Sequence, residues 1–147
     1  MKKLLSVLLA LAIFVSCSVY AGAADEITVL INGIKIEFDV PPILIKDRTM
    51  VPMRKTFESL GANIEWVGEL RLAIATFGTT IIAMQIDAYS FSVTDVLTNE
   101  TKEFTLDVPA QIVNDRTLIP LRAVSEALGK DVAWEGSTRT AIINDIQ

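Results

Sequence analysis

The chain has 147 residues, enough for one domain or two small, closely packed ones, with 18 acidic against 13 basic side chains, one Cys and no His. The charges are interspersed without a basic block, which excludes the cationic surface that nucleic-acid binding needs. The lack of His excludes Ser-His-Asp and Cys-His catalytic groups, and we expect no nucleic-acid partner, no metal and no cofactor.

The chain begins with the layout of a secretory signal peptide over residues 1–23. A basic dipeptide precedes the apolar run Leu4–Val15, and Ala21-Gly22-Ala23 offers a cleavage site between small residues. The apolar run is shorter than the roughly 20 residues that a membrane span needs. We therefore expect a secreted or extracellular protein with no transmembrane segment. Its mature domain would cover residues 24–147, with a net charge of 11 − 18 = −7 once the two signal-peptide lysines are removed.

Cys17 allows a second interpretation of this segment. Phe14-Val15-Ser16-Cys17 loosely resembles a bacterial lipobox, in which the Cys is lipidated and anchors the protein. The bulky Phe14 fits that pattern poorly, so a discarded signal peptide is favoured over a lipid anchor. In either case the mature chain has no Cys pair, and its stability depends on its core rather than on disulfides.

The mature chain opens with a predicted hairpin. Ile27–Ile31 is a short apolar run, and Ile34–Phe38 alternates apolar with charged residues. Asn32-Gly33 between them accepts the positive φ that a two-residue turn requires. Val40-Pro41-Pro42 ends the second strand, because proline cannot donate to a strand ladder.

A second extended pair and a short helix follow. Ile43–Ile45 and Thr49–Val51 flank a turn at Lys46-Asp47. Pro52 suits a helix start, because its missing N–H is harmless there, and Gly61 suits the left-handed position after the helix end. An apolar stripe at i, i+4 and i+7 predicts a helix of two to three turns through Met53, Phe57 and Leu60.

The chain then alternates between strands and turns up to the second half. Ile64–Trp66 and Leu72–Phe77 predict a closing hairpin, and Thr80–Ile86 is a further β-like run. Asp95–Thr101 reads as a polar turn, and Lys102–Val108 as the strand that leaves it.

The second half repeats the first at an offset of 68 residues. Asp47–Arg54 returns as Asp115–Arg122, since 115 − 47 = 68, and no gap is needed. A duplication in register indicates a repeated supersecondary unit. We predict an α+β fold, mainly antiparallel β-sheet with two short helices. It would consist of two homologous β-hairpin/helix/β-hairpin repeats, over about 27–77 and 89–145, that share a sheet or a core.

Both halves contain a DVP turn, the run DRTxxPxR, a short helix that ends E-x-L-G, and a following Trp. This pattern resembles the copper amine oxidase N-terminal-like domain, also called the stalk domain. The resemblance implies a small antiparallel sheet wrapped around a helix, a secreted or cell-surface setting in bacteria, and no catalytic residues. The chain departs from the family at Asp87-Ala88, where a Gly is often found.

The recurring motif residues have a structural interpretation and a binding interpretation. They are Asp47, Arg48, Pro52, Arg54, Glu58, Gly61, Trp66, Asp115, Arg116, Pro120, Arg122, Glu126, Gly129 and Trp134. In the structural interpretation each Asp organises a turn through nearby backbone, and the next Arg ties that turn to a carbonyl or a carboxylate. In the other, the guanidinium holds an acidic ligand. A motif that recurs with its whole scaffold favours the structural role.

Two further expectations concern the helices and the tryptophans. In each helix the motif Arg precedes the motif Glu at i, i+4, which is the less favourable order for an ion pair. Each Glu is therefore expected to bind another partner as well, such as Arg48 or Arg116. Trp66 and Trp134 are expected to pack in the core against their helices rather than to form a platform for sugars.

The sequence thus predicts a non-catalytic secreted or cell-envelope module that contacts cell-wall polysaccharide or another envelope protein, or acts as a structural spacer. One alternative is a carboxylate-based hydrolase of envelope polymers, which would bring Glu58 and Glu126 into one pocket about 5–9.5 Å apart. Another is a ligand-binding lipoprotein anchored through Cys17.

Overall fold

A computed structural model describes residues 26–146, so the predicted signal peptide and Cys17 lie outside the described residues. The strands are β1 (Thr28–Ile31), β2 (Ile34–Lys35), β3 (Ile43–Ile45), β4 (Arg48–Pro52), β5 (Asn63–Val67), β6 (Leu72–Phe77), β7 (Thr80–Gln85), β8 (Ser90–Asp95), β9 (Glu100–Thr105), β10 (Gln111–Val113), β11 (Arg116–Pro120), β12 (Lys130–Glu135) and β13 (Thr140–Asp145). The helices are α1 (Met53–Ser59) and α2 (Leu121–Ala127), and a short 3₁₀ turn spans Gly68–Leu70. The predicted class, α+β with mainly antiparallel strands and two short helices, is confirmed.

The same elements recur at the offset seen in the sequence. β3, β4 and α1 reappear 68 residues later as β10, β11 and α2, with identical lengths. β4 and β11 also share one burial pattern, from an exposed Arg to a buried Pro. The repeated sequence therefore folds into a repeated structure.

Sheet I joins the two repeats at their centre. Its strand order is β10-β11-β4-β3, and every pair is antiparallel. In the β4–β11 pair, Val51 lies opposite Ile119, its own repeat equivalent, while Met50 lies opposite Pro120 and Leu118 opposite Pro52. This register places a local two-fold axis between Val51 and Ile119.

The other two sheets exchange hairpins between the repeats. Sheet II has the order β12-β13-β1-β2, so the closing hairpin of repeat 2 pairs with the opening hairpin of repeat 1. Sheet III has the order β5-β6-β7-β8-β9 and combines the closing hairpin of repeat 1 with the opening hairpin of repeat 2. Each sheet is complete only when both repeats are present.

Sheet III contains one strand, β7, that has no counterpart in sheet II. In sheet II, β1 pairs directly with β13, and the two are parallel. In sheet III, β7 lies between β6 and β8 and is antiparallel to both, so β6 and β8 run in the same direction. The two sheets therefore have the same strand directions, and sheet III is one strand wider.

The core fills the space between the sheets and the helices. α1 contacts β11 and β5, while α2 contacts β4 and β12, so each helix packs partly on the other repeat. Met53 and Phe57 of α1 are buried as predicted, while Leu60, the third residue of the predicted stripe, follows the helix end and is half-buried. Leu121 and Val124 of α2 are buried in the same way. Phe57 also makes an edge-to-face contact with Phe77 at 5.4 Å between ring centroids.

The structure corrects two local predictions and confirms a third. The predicted strand Ile34–Phe38 is shorter, because β2 ends at Lys35 and the Ile34 side chain is 68% exposed. Pro52 is the last residue of β4 and occupies the N-cap position before α1, so it is not the first residue of the helix as predicted. Gly61 does adopt the predicted left-handed conformation, with φ +90°. Within residues 26–146, no helix has the length and apolar character needed to cross a membrane.

Candidate functional site: two equivalent clefts

The motif residues of the two repeats line two surface clefts. Cleft 1 has a volume of about 760 Å³ and is lined by Pro52, Arg54, Glu58, Trp66, Asp115 and Arg116, among others. Cleft 2 has a volume of about 640 Å³ and is lined by Pro120, Arg122, Glu126, Trp134, Asp47 and Arg48, among others. Every residue that lines cleft 1 has its repeat equivalent in the lining of cleft 2. Each cleft takes its helix and Trp from one repeat and its Asp-Arg-Thr turn from the other.

Both tryptophans lie at the surface, so the expectation that they belong to the core is wrong. Trp66 is 41% exposed and Trp134 is 40% exposed, and each lies on an edge strand of its sheet. Within residues 26–146, neither indole N–H has a hydrogen-bond partner. A Cβ added at Gly68 would lie 3.4 Å from Nε1 of Trp66, so this glycine lets the backbone pass close to the indole. Each cleft thus has an open aromatic face and a free donor.

The arginines of the Asp-Arg-Thr turns form ion pairs between the repeats. Arg116 of repeat 2 donates from Nε and Nη2 to Oδ2 of Asp39 in repeat 1, at 2.8 and 2.6 Å. Arg48 of repeat 1 pairs with Asp107 of repeat 2, with 2.5 Å between Nη2 and Oδ2. Each Arg also donates to the carbonyl of the preceding Asp. The prediction that the Arg ties its turn to a carbonyl or a carboxylate is confirmed.

These ion pairs change the titration of the carboxylates. The hydrogen bond from Arg116 lowers the pKa of Asp39 below its ordinary value of 3.8, and the hydrogen bond from Arg48 lowers the pKa of Asp107 in the same way. Asp39 in turn raises the pKa of Arg116. Both carboxylates therefore stay ionised at neutral pH and hold their arginines in a fixed position along the wall of each cleft.

The helix glutamates have a simpler arrangement than predicted. Glu58 pairs with Arg54 at 3.7 Å, and Glu126 pairs with Arg122 at 3.6 Å. Arg48 and Arg116 bind the aspartates of the opposite repeat, so the expectation that they bind the glutamates is wrong. Each cleft consequently contains two Arg–carboxylate pairs, one on the helix and one between the repeats.

The Asp of each turn acts through its backbone. Asp47 follows Lys46 with φ values of +61° and +49°, and Asp115 follows Asn114 with +60° and +49°. Positive φ at both central residues is what a tight two-residue hairpin turn needs. Among the described residues, neither Asp side chain makes a hydrogen bond, which corrects the prediction that these carboxylates bind nearby backbone.

The two clefts differ at a few positions on their walls. Glu37 and Lys55 of cleft 1 correspond to Thr105 and Ala123 of cleft 2. Glu37 forms an ion pair with Lys35 at 3.2 Å, whereas no ion pair of the described part of the chain includes Lys55. The shared features of the clefts are therefore the Trp and the two Arg–carboxylate pairs.

The geometry brings the motif residues together but separates the two carboxylates of the hydrolase alternative. Glu58 lines cleft 1 and Glu126 lines cleft 2, each beside its own Arg. No group of three or more His, Cys, Asp or Glu within residues 26–146 is placed to hold a metal ion. The lining offers an aromatic face with fixed donors and acceptors, which suits binding of a polar ligand.

Asp39 and Asp107 were not among the predicted site residues. Both begin the recurring DVP turn. The signal that could have identified them was that each repeat has one Asp without an assigned partner and one Arg that requires a carboxylate. The sequence could not show that the partner belongs to the other repeat.

The family model described as the copper amine oxidase N-terminal domain matches residues 30–143, which include every residue that lines the two clefts. No curated protein matches the chain.

Proposed function

The chain belongs to the copper amine oxidase N-terminal domain family, which is a non-catalytic domain, and from this premise we propose that it is an extracellular module that binds cell-wall glycan. The extracellular location follows from the signal-peptide pattern of residues 1–23. The observation that carries the glycan assignment is the occurrence of the same half-exposed Trp beside two Arg–carboxylate pairs in both clefts.

The Trp supports a sugar ligand because its indole has a broad apolar face and a polar edge. The C–H face of a pyranose ring can pack against the indole, while the free Nε1–H donates to a ring hydroxyl. Trp66 and Trp134 are each about 40% exposed, so their faces are accessible without any change in the core.

The paired charges support a neutral, hydroxyl-rich ligand over a strongly acidic one. In cleft 1, Arg54 and Arg116 already hold carboxylates, so their remaining N–H groups donate while the carboxylate oxygens accept. Sugar hydroxyls donate and accept at once and can use both. A phosphate or carboxylate ligand would instead meet arginines whose charge is already balanced and would be repelled by Glu58 and Asp39.

The structure favours binding over hydrolysis of such a polymer. A glycosidase needs two carboxyl groups on either side of one glycosidic bond. Glu58 and Glu126 are divided between two clefts, and Asp39, with its lowered pKa, is poorly suited to donate a proton. The second alternative, a lipoprotein anchored through Cys17, concerns a residue outside the described part of the chain.

Cosedimentation with purified, insoluble peptidoglycan tests the proposal. We expect the wild-type chain to pellet with the glycan and the double variant Trp66→Ala, Trp134→Ala to remain in solution, because both aromatic faces are lost. Tyr89→Ala is the matched control, since Tyr89 is a 59% exposed aromatic residue outside both clefts. It should pellet like the wild type.

The same experiment can reject the proposal. A wild-type chain that stays in the supernatant, or a double variant that still pellets fully, would exclude glycan binding through these clefts. Thermal unfolding of each variant checks that the loss of binding does not come from a loss of folding.

A further inference from the structure

The structure contains two copies of the proposed site, and we infer that the chain is bivalent and bridges two separate glycan strands. This inference rests on the proposed function of the clefts and adds to it the number of sites and the bridging of two strands. It follows from the symmetry of sheet I and from the matched linings of the two clefts.

Both clefts are complete. Each has a Trp at about 40% exposure, a helix ion pair at 3.6–3.7 Å and an Arg–Asp pair between the repeats. Neither cleft has lost any of these parts. A ligand that fits the shared parts of cleft 1 therefore also fits cleft 2.

The two clefts are also related by symmetry. Val51 lies opposite Ile119, its repeat equivalent, so the two halves are related by a local two-fold axis at that pair. This axis relates the lining of cleft 1 to that of cleft 2, so each cleft offers an equivalent set of contacts to its own strand.

The clefts are also separate, since no described residue lines both of them. On β4, Thr49 lines cleft 2 and Pro52 lines cleft 1. They are 52 − 49 = 3 residues apart, or about 10 Å at about 3.4 Å per residue. The buried Val51 lies between them. The clefts are therefore separate sites that two strands can occupy together.

Isothermal titration calorimetry with short soluble glycan oligosaccharides, released from purified peptidoglycan, measures the number of sites. We expect two oligosaccharides per wild-type chain, one for Trp66→Ala, one for Trp134→Ala, and none for the double variant. Arg54→Ala and Arg122→Ala form a second pair of single variants, because both side chains are more than half exposed and outside the core. Each should weaken one site and leave the other unchanged.

Bridging itself is measured with long soluble glycan strands and light scattering. The wild-type chain should increase the scattering by cross-linking strands, while each single Trp variant should bind without cross-linking. Tyr89→Ala should behave like the wild type in both experiments.

The outcomes separate the two proposals. One oligosaccharide per wild-type chain, or complete loss of binding in either single variant, would overturn bivalency and leave glycan binding intact. Two sites without an increase in scattering would overturn bridging. No binding of any oligosaccharide by the wild type would overturn the proposed function as well.

Discussion

Arg48 and Arg116 show how a single residue type can join two repeats. Each begins a strand of sheet I, and each binds the Asp of a DVP turn in the opposite repeat. About half of every one of these four side chains is exposed, so solvent weakens the attraction between the charges. The pairs therefore matter more for geometry than for stability, because each holds the DVP turn of one repeat beside the DRT turn of the other in the lining of a cleft.

The pairs predict a loss of stability in acid. The pKa values of Asp39 and Asp107 are lower in the folded chain than the ordinary value of 3.8, so the unfolded chain binds more protons as the pH falls toward that value. Their contribution to stability is complete above the unfolded pKa and is lost as the pH drops through the lowered folded pKa. The double variant Asp39→Asn, Asp107→Asn should therefore show a smaller decrease in urea midpoint between pH 7 and pH 3 than the wild type.

A matched control for this experiment is Asp131→Asn. Asp131 is exposed and takes part in no ion pair among the described residues, so its removal should leave the acid dependence unchanged. An equal decrease in midpoint for the wild type and the double variant would show that the two Arg–Asp pairs do not govern acid stability.

Among the secondary-structure elements, the two short helices depend most on their ends. α1 and α2 have seven residues each and no side-chain cap at the N-terminus. Helices of this length are barely stable in isolation, so they depend on packing against the rest of the protein and on a residue that ends the helix. Gly61 and Gly129 provide that stop, with φ values of +90° and +70°. The chain then turns directly into the strands that bear Trp66 and Trp134.

Gly61→Ala should lower the free energy of unfolding by about 1 kcal/mol, because a Cβ is strained at positive φ. No atom lies within 4 Å of the added Cβ, so the cost comes from the backbone conformation and not from a clash. Chemical denaturation measures the change. Gly136→Ala is the control: its φ is outside the left-handed range and its added Cβ would lie 3.7 Å from Nε1 of Trp134, an ordinary contact. Equal destabilisation by both substitutions would contradict this explanation.

Local sequence signals predicted the elements well but could not predict their partners. The stop at Gly61 and the turn at Asn32-Gly33 depend on backbone chemistry that each residue carries by itself, whereas β2 ends at Lys35, before the predicted stop at Pro41. An alternating strand shows which side chains share a face, yet it does not identify the neighbouring strand. The exchange of hairpins and the Arg–Asp pairs depend on tertiary structure, and the sequence could not reveal them.

The exposure of Trp66 was missed for a related reason. In the sequence, Ile64 and Trp66 alternate with Glu65, a pattern typical of a strand with one face toward the core. In the structure Ile64 and Trp66 both line cleft 1, and Trp66 on the edge strand β5 is left 41% exposed. Asp87 stands where the family often has Gly, and its backbone has the positive φ, +65°, that explains a Gly there. The Asp87 side chain forms an ion pair with Arg71.

At the scale of the whole molecule, the two repeats form a single folding unit. Sheet I pairs β4 with β11, sheet II pairs β1 with β13, and sheet III pairs β6 with β7. A chain divided between β6 and β7 would lose all three of these pairings and would expose unpaired strand edges in both halves. Each half is also short, so the core that it could bury alone is small.

A cut after Gly78, in the turn between β6 and β7, should therefore give two fragments that do not fold alone. Residues 24–78 and 79–147 are each expected to show an unfolded NMR spectrum, and mixing them should restore the dispersed spectrum of the intact chain, because the three pairings form between the fragments. Val51→Asp in the first fragment provides the control. It places a charge at the buried centre of the β4–β11 pair and should prevent the recovery. A dispersed, cooperative spectrum from either fragment alone would mean that one repeat builds its own core and that the exchange of hairpins is not what holds the chain together.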